Sequence, residues 1–458
     1  MQAHRLIRAF AALILAGAMP APAATADTVA VSAGELRSLA ATAQERGRPE
    51  LALSYAEALL DRDRRDVDAL ILRSRAARDL GHTGLARRSG GQAWRSADAA
   101  DDRHAAALVT AQALATSGRR TQAQWWLRRA AHTAPTPAAR QRAIRDFRYV
   151  RARNPWATEL SFSVAPSSNV NGGSARSTTR LYNLPFDFRL AGQARALSGT
   201  EIATGVSTRY RIAGSARGDR TDVTFRANYR TYRLSEAARD QAPDASGSDF
   251  AFGSLAVTLA QEWRPGNARL PAQVSATLGQ TWYGGDPYMR FVQAAGTRHW
   301  ALDRRTAVHL ALFAETQQGQ GATADSHRLR LSTGTAHVLS GGHRLRLSVA
   351  ATASRSDAAT RDYDRLEADA RMALARPVLG LDLAMGVTLA RETYEGSFFG
   401  TQGRDDTEIA FEITADLPAV EYHGFIPALT LRGTRNRSSV ALYDTEQIGL
   451  EIGWRSAF

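Results

Sequence analysis

From Trp156 onward apolar side chains recur at every second position, yet no run in the chain reaches the roughly 18 to 20 apolar residues of a transmembrane helix. Between Thr221 and Leu234, Val223, Phe225, Ala227 and Tyr229 alternate with Thr224, Arg226, Asn228 and Arg230. Leu345, Leu347 and Val349 alternate in the same way with Arg344, Arg346 and Ser348. A period of two gives strands with one apolar and one charged face. A soluble sandwich buries such a face once. Its repetition along two thirds of the chain is what a closed membrane barrel requires, with lipid outside and a wet lumen. Fourteen segments are expected, beginning near 157, 199, 219, 248, 270, 288, 305, 325, 343, 361, 379, 405, 424 and 445.

Connection length adds direction. Ala216 to Asp219, Asp303 to Arg305 and Ser340 to His343 read as tight turns, whereas Pro166 to Ser198, Ser235 to Ser248, Gln317 to Asp325 and Tyr394 to Asp405 read as long loops. Short periplasmic turns alternating with long outer loops give this rhythm, and an even strand number returns both ends to the periplasm. Trp263, Trp282, Trp300 and Trp454 fall near strand ends, where interfacial aromatic belts lie.

The first 155 residues have another texture. His4, Arg5 and Arg8 precede the apolar run Ala9 to Met19, followed by Ala21-Pro22-Ala23 or Ala24-Thr25-Ala26 as a cleavage site. That order predicts a secretory signal peptide over 1–26. The chain has no cysteine, so it offers no lipid-attachment cysteine, disulfide framework or thiolate site. From 27 to 155 it is rich in Ala, Leu, Arg and Glu, as helices are. Gly47, Gly81 and Gly118 are each followed five positions on by Ala52, Ala86 and Ala123. A spacing near 34 residues, with glycine in the turn and a small residue early in the second helix, is the tetratricopeptide pattern. Three helix pairs are predicted. The second departs from the pattern at Arg73 and Gly90. A plain helical bundle is the other reading.

Such a stack leaves one face open for an extended peptide or a protein partner. Trp125 and Trp126 lie in the last repeat, about 100° apart on the helix, so one ring is expected in the core and the other outward. The final helix carries Arg140, Arg142, Arg145, Arg148, Arg151 and Arg153 against Asp146 alone. It reads as a solvated arginine face, or as a surface for anionic headgroups or acidic cargo. All 58 basic residues are arginine, a bias that points to codon usage more than to nucleic-acid binding. Their excess is in the helical part, with 23 Arg against 14 acidic residues, while 156–458 holds 33 against 31.

Ile448, Leu450, Ile452, Trp454 and Ser456 alternate before the terminal Phe458. Leu450, Ile452, Trp454 and Phe458 resemble the terminal signal read by the outer-membrane barrel assembly machinery. The stretch from Trp156 to Asn171, with its Pro166-Ser167-Ser168-Asn169-Val170-Asn171 string, resembles the opening barrel segment of the surface lipoprotein assembly modulator family, the type XI secretion system translocators. Leu184-Pro185-Phe186 and Ala196 to Thr200 resemble that family's next segment. The resemblance implies an N-terminal tetratricopeptide-like α-solenoid followed by a 14-stranded antiparallel transmembrane β-barrel. It implies partners too: a cargo lipoprotein or secreted protein, outer-membrane lipid and the assembly machinery. No cofactor, metal or catalytic motif comes with it. Asn169, Asn171, Gly172 and Gly173 favour turns and left-handed backbone, so Pro166 to Asn171 is expected to gate or bind cargo by folding into the lumen or capping the mouth, or else simply to close a hairpin.

Enzymatic chemistry is not expected. His327, His337 and His343 lie on separate strands without metal-ligand spacing, and a lipase pair such as Ser332 with His337 is neither shown nor excluded by spacing. Gly319-Gln-Gly321 is a loop tip, and Asp244 to Asp249 an acidic, mobile outer loop. The chain therefore reads as an outer-membrane translocator of lipoproteins or secreted proteins. The alternatives are an exopolysaccharide exporter or solute porin with a repeat scaffold, and a periplasmic scaffold on a barrel anchor.

Overall fold

The computed structural model describes residues 31–180, 186–215, 218–266, 268–396 and 403–458. The expected signal peptide and the Leu184-Pro185 part of the resemblance lie outside the described residues.

Three helix pairs and a seventh helix come first: α1 Ala33–Glu45, α2 Pro49–Arg62, α3 Val67–Asp79, α4 Thr83–Ser96, α5 Ala100–Thr116, α6 Arg120–His132 and α7 Pro137–Arg153. Their starts follow local chemistry. Ser32 and Glu35 form a capping box, Asp66 caps α3 through the amide of Ala69, and Thr136 caps α7 ahead of Pro137. Each pair turns at a glycine with φ of 67°, 78° and 76° at Gly47, Gly81 and Gly118, a conformation that Cβ disfavours elsewhere. Ala52, Ala86 and Ala123 are fully buried where the helices cross.

The two departures in the second repeat have physical causes. A Cβ on Gly90 would lie 2.4 Å from Thr110 Oγ1, so glycine lets α4 and α5 approach closely. The Arg73 Nε donates to Ser89 Oγ at 2.9 Å, which satisfies the guanidinium where an apolar residue is usual. The face built by α1, α3 and α5 is tied across repeats by polar bonds, Gln44 to Asp79 and Arg78 to Gln112.

A closed antiparallel barrel follows. Its strands are β1 Trp156–Ser167, β2 Gly199–Gly214, β3 Arg220–Leu234, β4 Phe252–Trp263, β5 Ala272–Tyr283, β6 Asp286–Ala301 and β7 Thr306–Gly319. The remainder are β8 Ser326–Val338, β9 Arg344–Arg355, β10 Tyr363–Ala373, β11 Asp382–Tyr394, β12 Arg404–Asp416, β13 Phe425–Ser438 and β14 Thr445–Ser456. All are at least 11 residues long, enough to cross a bilayer at a tilt. A two-residue ladder, Thr178–Thr179 with Phe188–Arg189, lies in the β1–β2 connection outside the barrel sheet.

Sequential strands pair with their neighbours at eleven or more positions. The closing seam is different: among the described residues β1 and β14 pair at Val164–Ile452 and Ser167–Gly449.

The helical domain joins the rim that holds the start of β1 and the end of β14, here called the near rim. The alternation of loop lengths is looser than the sequence suggested. Gly284 and Gly285 join β5 to β6 at the far rim as a two-residue turn with both φ positive, the geometry that matches strand twist. At the near rim the β12–β13 connection is longer, because it holds the short helical turn Pro418–Val420 ahead of Glu421 to Gly424, which meet the helical domain.

Candidate functional site

Which face is the lumen follows from the ion pairs. Arg365 on β10 reaches Glu392 on β11 at 2.5 Å and Glu408 on β12 at 2.8 Å, and Arg330 on β8 reaches Glu367 on β10 at 2.7 Å. Bonds that skip a strand form only on the concave side. The opposite face carries exposed Leu160, Phe162, Leu278, Leu331, Leu366 and Ile409, the lipid-facing band.

The lumen wall is therefore laced by alternating charges. Arg432 on β13 bridges Glu412 and Glu451 at 2.7 and 2.5 Å. Across the barrel Asp222 sits among Arg209, Arg211 and Arg220, and Arg220 also pairs with Glu262 at 2.7 Å. Single pairs of this kind contribute little, about 0–1 kcal/mol when wet. As a network they keep the lumen wall polar and balanced in sign.

At the far rim the Pro166–Asn171 string is not a simple hairpin. Ser168 donates its amide to the Ile448 carbonyl at 3.1 Å, and the Ile448 amide donates to Ser168 Oγ at 2.8 Å. Ser167 Oγ accepts from Gln447 at 3.1 Å. Buried Asn169 donates to the Gly173 carbonyl at 2.8 Å, and Asn171 donates to the Gln193 and Arg195 carbonyls and accepts from the Leu197 amide. The two asparagines thus substitute for backbone ladder bonds and fold the first long connection on itself.

That connection packs Val170 and Leu197 against Leu234, Ala238 and Ala242, the last three from β3 and the short α8 Glu236–Gln241 with its C-cap. Leu234 and Tyr232 share the inward face with Arg230, so this cap lies over the lumen side of β1 to β3. The Asp244–Asp249 stretch, expected as a mobile loop, is part of the cap. Gly247–Phe250 forms a 3-10 turn held by a Ser246–Asp249 capping box, tight enough that a Cβ on Gly247 would meet the Tyr232 carbonyl. Arg361 reaches inward from the β9–β10 connection to Gln317 and to Ser326 Oγ at 2.8 Å. Arg404 is sandwiched between the rings of Tyr394 and Tyr443 at 3.7 and 3.8 Å.

At the near rim the helical domain is anchored by Arg128. Its guanidinium donates to the Gly424 carbonyl at 2.9 Å and to Ser456 Oγ at 2.8 Å, and reaches the Phe458 carbonyl at 3.4 Å. It also lies 4.4 to 5.0 Å from the rings of Phe425, Phe147 and Phe458. Burial pulls this group down to about 10, still far above neutral pH, so it stays charged. Gly424 has φ 77°, and a Cβ there would meet Phe458 at 2.4 Å and Arg128 at 2.5 Å. Around this centre Arg140 pairs with Glu421, the Trp125 and Phe425 rings lie 6.2 Å apart, and His132 stacks at 4.0 Å on His423.

The sequence-selected residues are distributed among these features. Trp126 meets Trp94 edge-on at 5.5 Å beside the helical core, while Trp125 points outward to the barrel rim. Arg145 and Arg148 are exposed on α7. Leu450, Ile452 and Trp454 face lipid. Phe458 is buried in the helical core against Phe147, with centroids 5.2 Å apart. Arg128, Phe147, Gly424 and Phe425 were not singled out from sequence. An arginine in a row of arginines carries no local mark.

Among the described residues no group of His, Asp and Glu is arranged to hold a metal ion. His327 and His337, expected on separate strands, both lie on β8, ten residues apart, and His343 precedes β9; each bonds a separate neighbour, Thr316, Thr306 and the Ala375 amide. Ser332 and His337 are five residues apart on β8 and so face opposite sides of the wall.

No curated protein matches the chain in sequence. Among solved structures it is similar over 27% of its length to SycD, the type III secretion translocator chaperone of Yersinia enterocolitica, with 20% identity, a TM-score of 0.24 and 88% of that chain covered. Over 65% it is similar to OccAB3 of Acinetobacter baumannii, with 8% identity, a TM-score of 0.34 and 98% of that chain covered. A bacterial polysaccharide outer membrane secretin is similar over 65%, with 7% identity, a TM-score of 0.34 and 98% of that chain covered. The family model described as surface lipoprotein assembly modifier matches residues 156–455, the whole barrel to within three residues of the last. The chain belongs to the surface lipoprotein assembly modifier family, and its barrel is an outer-membrane barrel.

Proposed function

We propose that this protein moves specific surface lipoproteins or secreted proteins across the outer membrane, with the helical domain in the periplasm and the near rim facing it. The observation that carries the reading is the seating of a helical-repeat domain on one rim of a barrel of this family, through Arg128 and its aromatic collar. A repeat stack holds extended or partly folded polypeptide on its open face. Fixing that stack beside a charge-balanced lumen brings bound cargo to the entrance. The far-rim cap, folded inward over β1 to β3, would have to move for cargo to leave. In this reading the protein performs no chemistry, and its specificity lies in which polypeptides the two domains hold.

Surface shaving and supernatant mass spectrometry of cells with and without the gene test this directly. Loss of one or a few proteins from the surface, with their accumulation inside, is the expected result. An unchanged protein profile with altered polysaccharide or solute passage overturns it in favour of an exporter or porin.

A further inference from the structure

The seam between β1 and β14 is uneven along its length. Ser168 directs its amide at Ile448 on β14, so the amides of Pro166 and Val164, two and four residues earlier, belong on the same side. Proline has no amide hydrogen to give there. The ladder is interrupted at the position opposite Leu450 and resumes once, at Val164–Ile452. From Leu160 to Ser163 β1 pairs fully with β2, yet among the described residues these four positions have no pairing with Gly453 to Ser456, which the register sets opposite them.

The end of β14 is held elsewhere. The Ala457 amide donates to the Gly424 carbonyl at 2.8 Å, Ser456 accepts from Arg128, and Phe458 is buried among the helices. The helical domain thus grips one lip of the seam where the pairing fails. On the membrane side the lips carry exposed Leu160, Phe162, Ile452 and Trp454. On the lumen side the short groups Ser161, Ser163 and Gly453 face the gap, a Cβ on Gly453 would meet nothing within 4 Å, and the two long side chains β14 carries there, Glu451 and Arg455, are turned away to Arg432 and Asp416 on β13 and β12.

We propose that the near-rim half of this seam is a lateral passage that takes the acyl chains of a lipid-anchored polypeptide. The proposal rests on the lipoprotein reading above and adds the path of the lipid. A lumen lined by Arg365, Glu408, Arg432 and Asp222 cannot solvate acyl chains. An open seam lets the chains remain in hydrocarbon while the attached polypeptide occupies the polar lumen. Apolar outer lips, small inner residues and a broken ladder are what such a slot needs.

The absence of native cysteine makes the test clean. A disulfide in the Ser163→Cys, Gly453→Cys double variant, opposite positions in the register set by Val164–Ile452, clamps the seam inside its unpaired half. A control disulfide in Thr258→Cys, Thr277→Cys clamps β4 to β5, where the two hydroxyls lie 2.8 Å apart. Acylated proteins that depend on the gene are expected to fall to the deletion level at the surface of seam-clamped cells and to return on reduction, with the control clamp at the wild-type level. Pro166→Ala, which supplies the missing donor without a covalent lock, is expected to slow their delivery. Wild-type delivery with the seam clamped overturns the proposal.

A second measurement uses the full chain in phosphatidylethanolamine and phosphatidylglycerol vesicles. A dipalmitoylated peptide bearing a photoreactive acyl chain is expected to label 156–163 and 453–456 above the remaining strands, unlike phosphatidylethanolamine carrying the same chain. Equal labelling by both probes around the ring overturns the seam assignment. If deletion of the gene leaves surface proteins unchanged, the lipoprotein reading fails, and the vesicle labelling still decides whether the seam takes acyl chains.

Discussion

Replacing Arg128 by alanine removes a side chain that touches the helical core, the β12–β13 connection and the chain end together. Its two shortest charged hydrogen bonds, to the Gly424 carbonyl and Ser456 Oγ, are lost, at about 1.5–3 kcal/mol each. Three ring contacts go with them, each about 0.5–2 kcal/mol when shielded from water. These terms are not additive, because water re-enters the gap and the Arg140–Glu421 pair and the Trp125–Phe425 contact remain. Truncating one partner of a buried charged contact at an interface costs about 2–5 kcal/mol. At about 1.4 kcal/mol per factor of ten, docking of the helical domain should weaken by roughly two orders of magnitude. Asn154 and Pro155 tether the domain, so it is expected to sample many orientations rather than leave. Spin labels on the Arg87→Cys, Arg304→Cys pair, both exposed and on different domains, read this by pulsed dipolar spectroscopy. The expectation is one narrow distance in the parent and a broad distribution with Arg128→Ala, while Arg128→Lys, which keeps the charge but loses the fork, falls between. An unchanged narrow distance in Arg128→Ala would refute the anchor.

Gly424→Val should broaden the same distance, because both the φ of 77° and the contacts with Phe458 and Arg128 exclude a side chain there; a parent-like distribution would contradict the close packing. Asn171→Ala removes bonds to three backbone groups between Gln193 and Leu197, and should lower the stability of the cap by about 1–3 kcal/mol, seen as faster proteolysis of the first long connection with the barrel intact. Arg365→Met leaves Glu392, Glu408 and Glu367 facing one another, so single-channel recordings should show a shift toward cation selectivity and thermal scans a lower barrel midpoint. Docking should also weaken in acid. Burial, then His132 and Arg129, holds His423 below its ordinary value, so docking is strongest above about pH 6.5 and declines as the pH falls through the lowered value, where a proton meets a neighbouring imidazole. Dipolar distances at pH 7.5 and 5 check this, and His423→Gln should remove most of the difference.

The strand pattern was legible because it is local. A period of two depends on which face each residue meets, so Val223 to Tyr229 and Leu345 to Val349 disclosed their wall in the chain itself. The glycines at 47, 81 and 118, with the alanines five residues later, fixed helix pairing for the same reason, since turn conformation and helix crossing are decided within a few residues. Tertiary structure alone decided what joins the parts. Arg128 meets Gly424 and Phe458 across 296 and 330 residues of sequence, and nothing near it in the chain distinguishes it from Arg129. The Pro166–Asn171 string stood out by its composition, but not its role, because Ser167 and Ser168 find their partners on β14, at the other end of the barrel sequence. Whether a strand ladder closes fully depends on two edges brought together only when the barrel closes, and here Pro166 on one edge and the captured end of β14 on the other leave it partly unpaired.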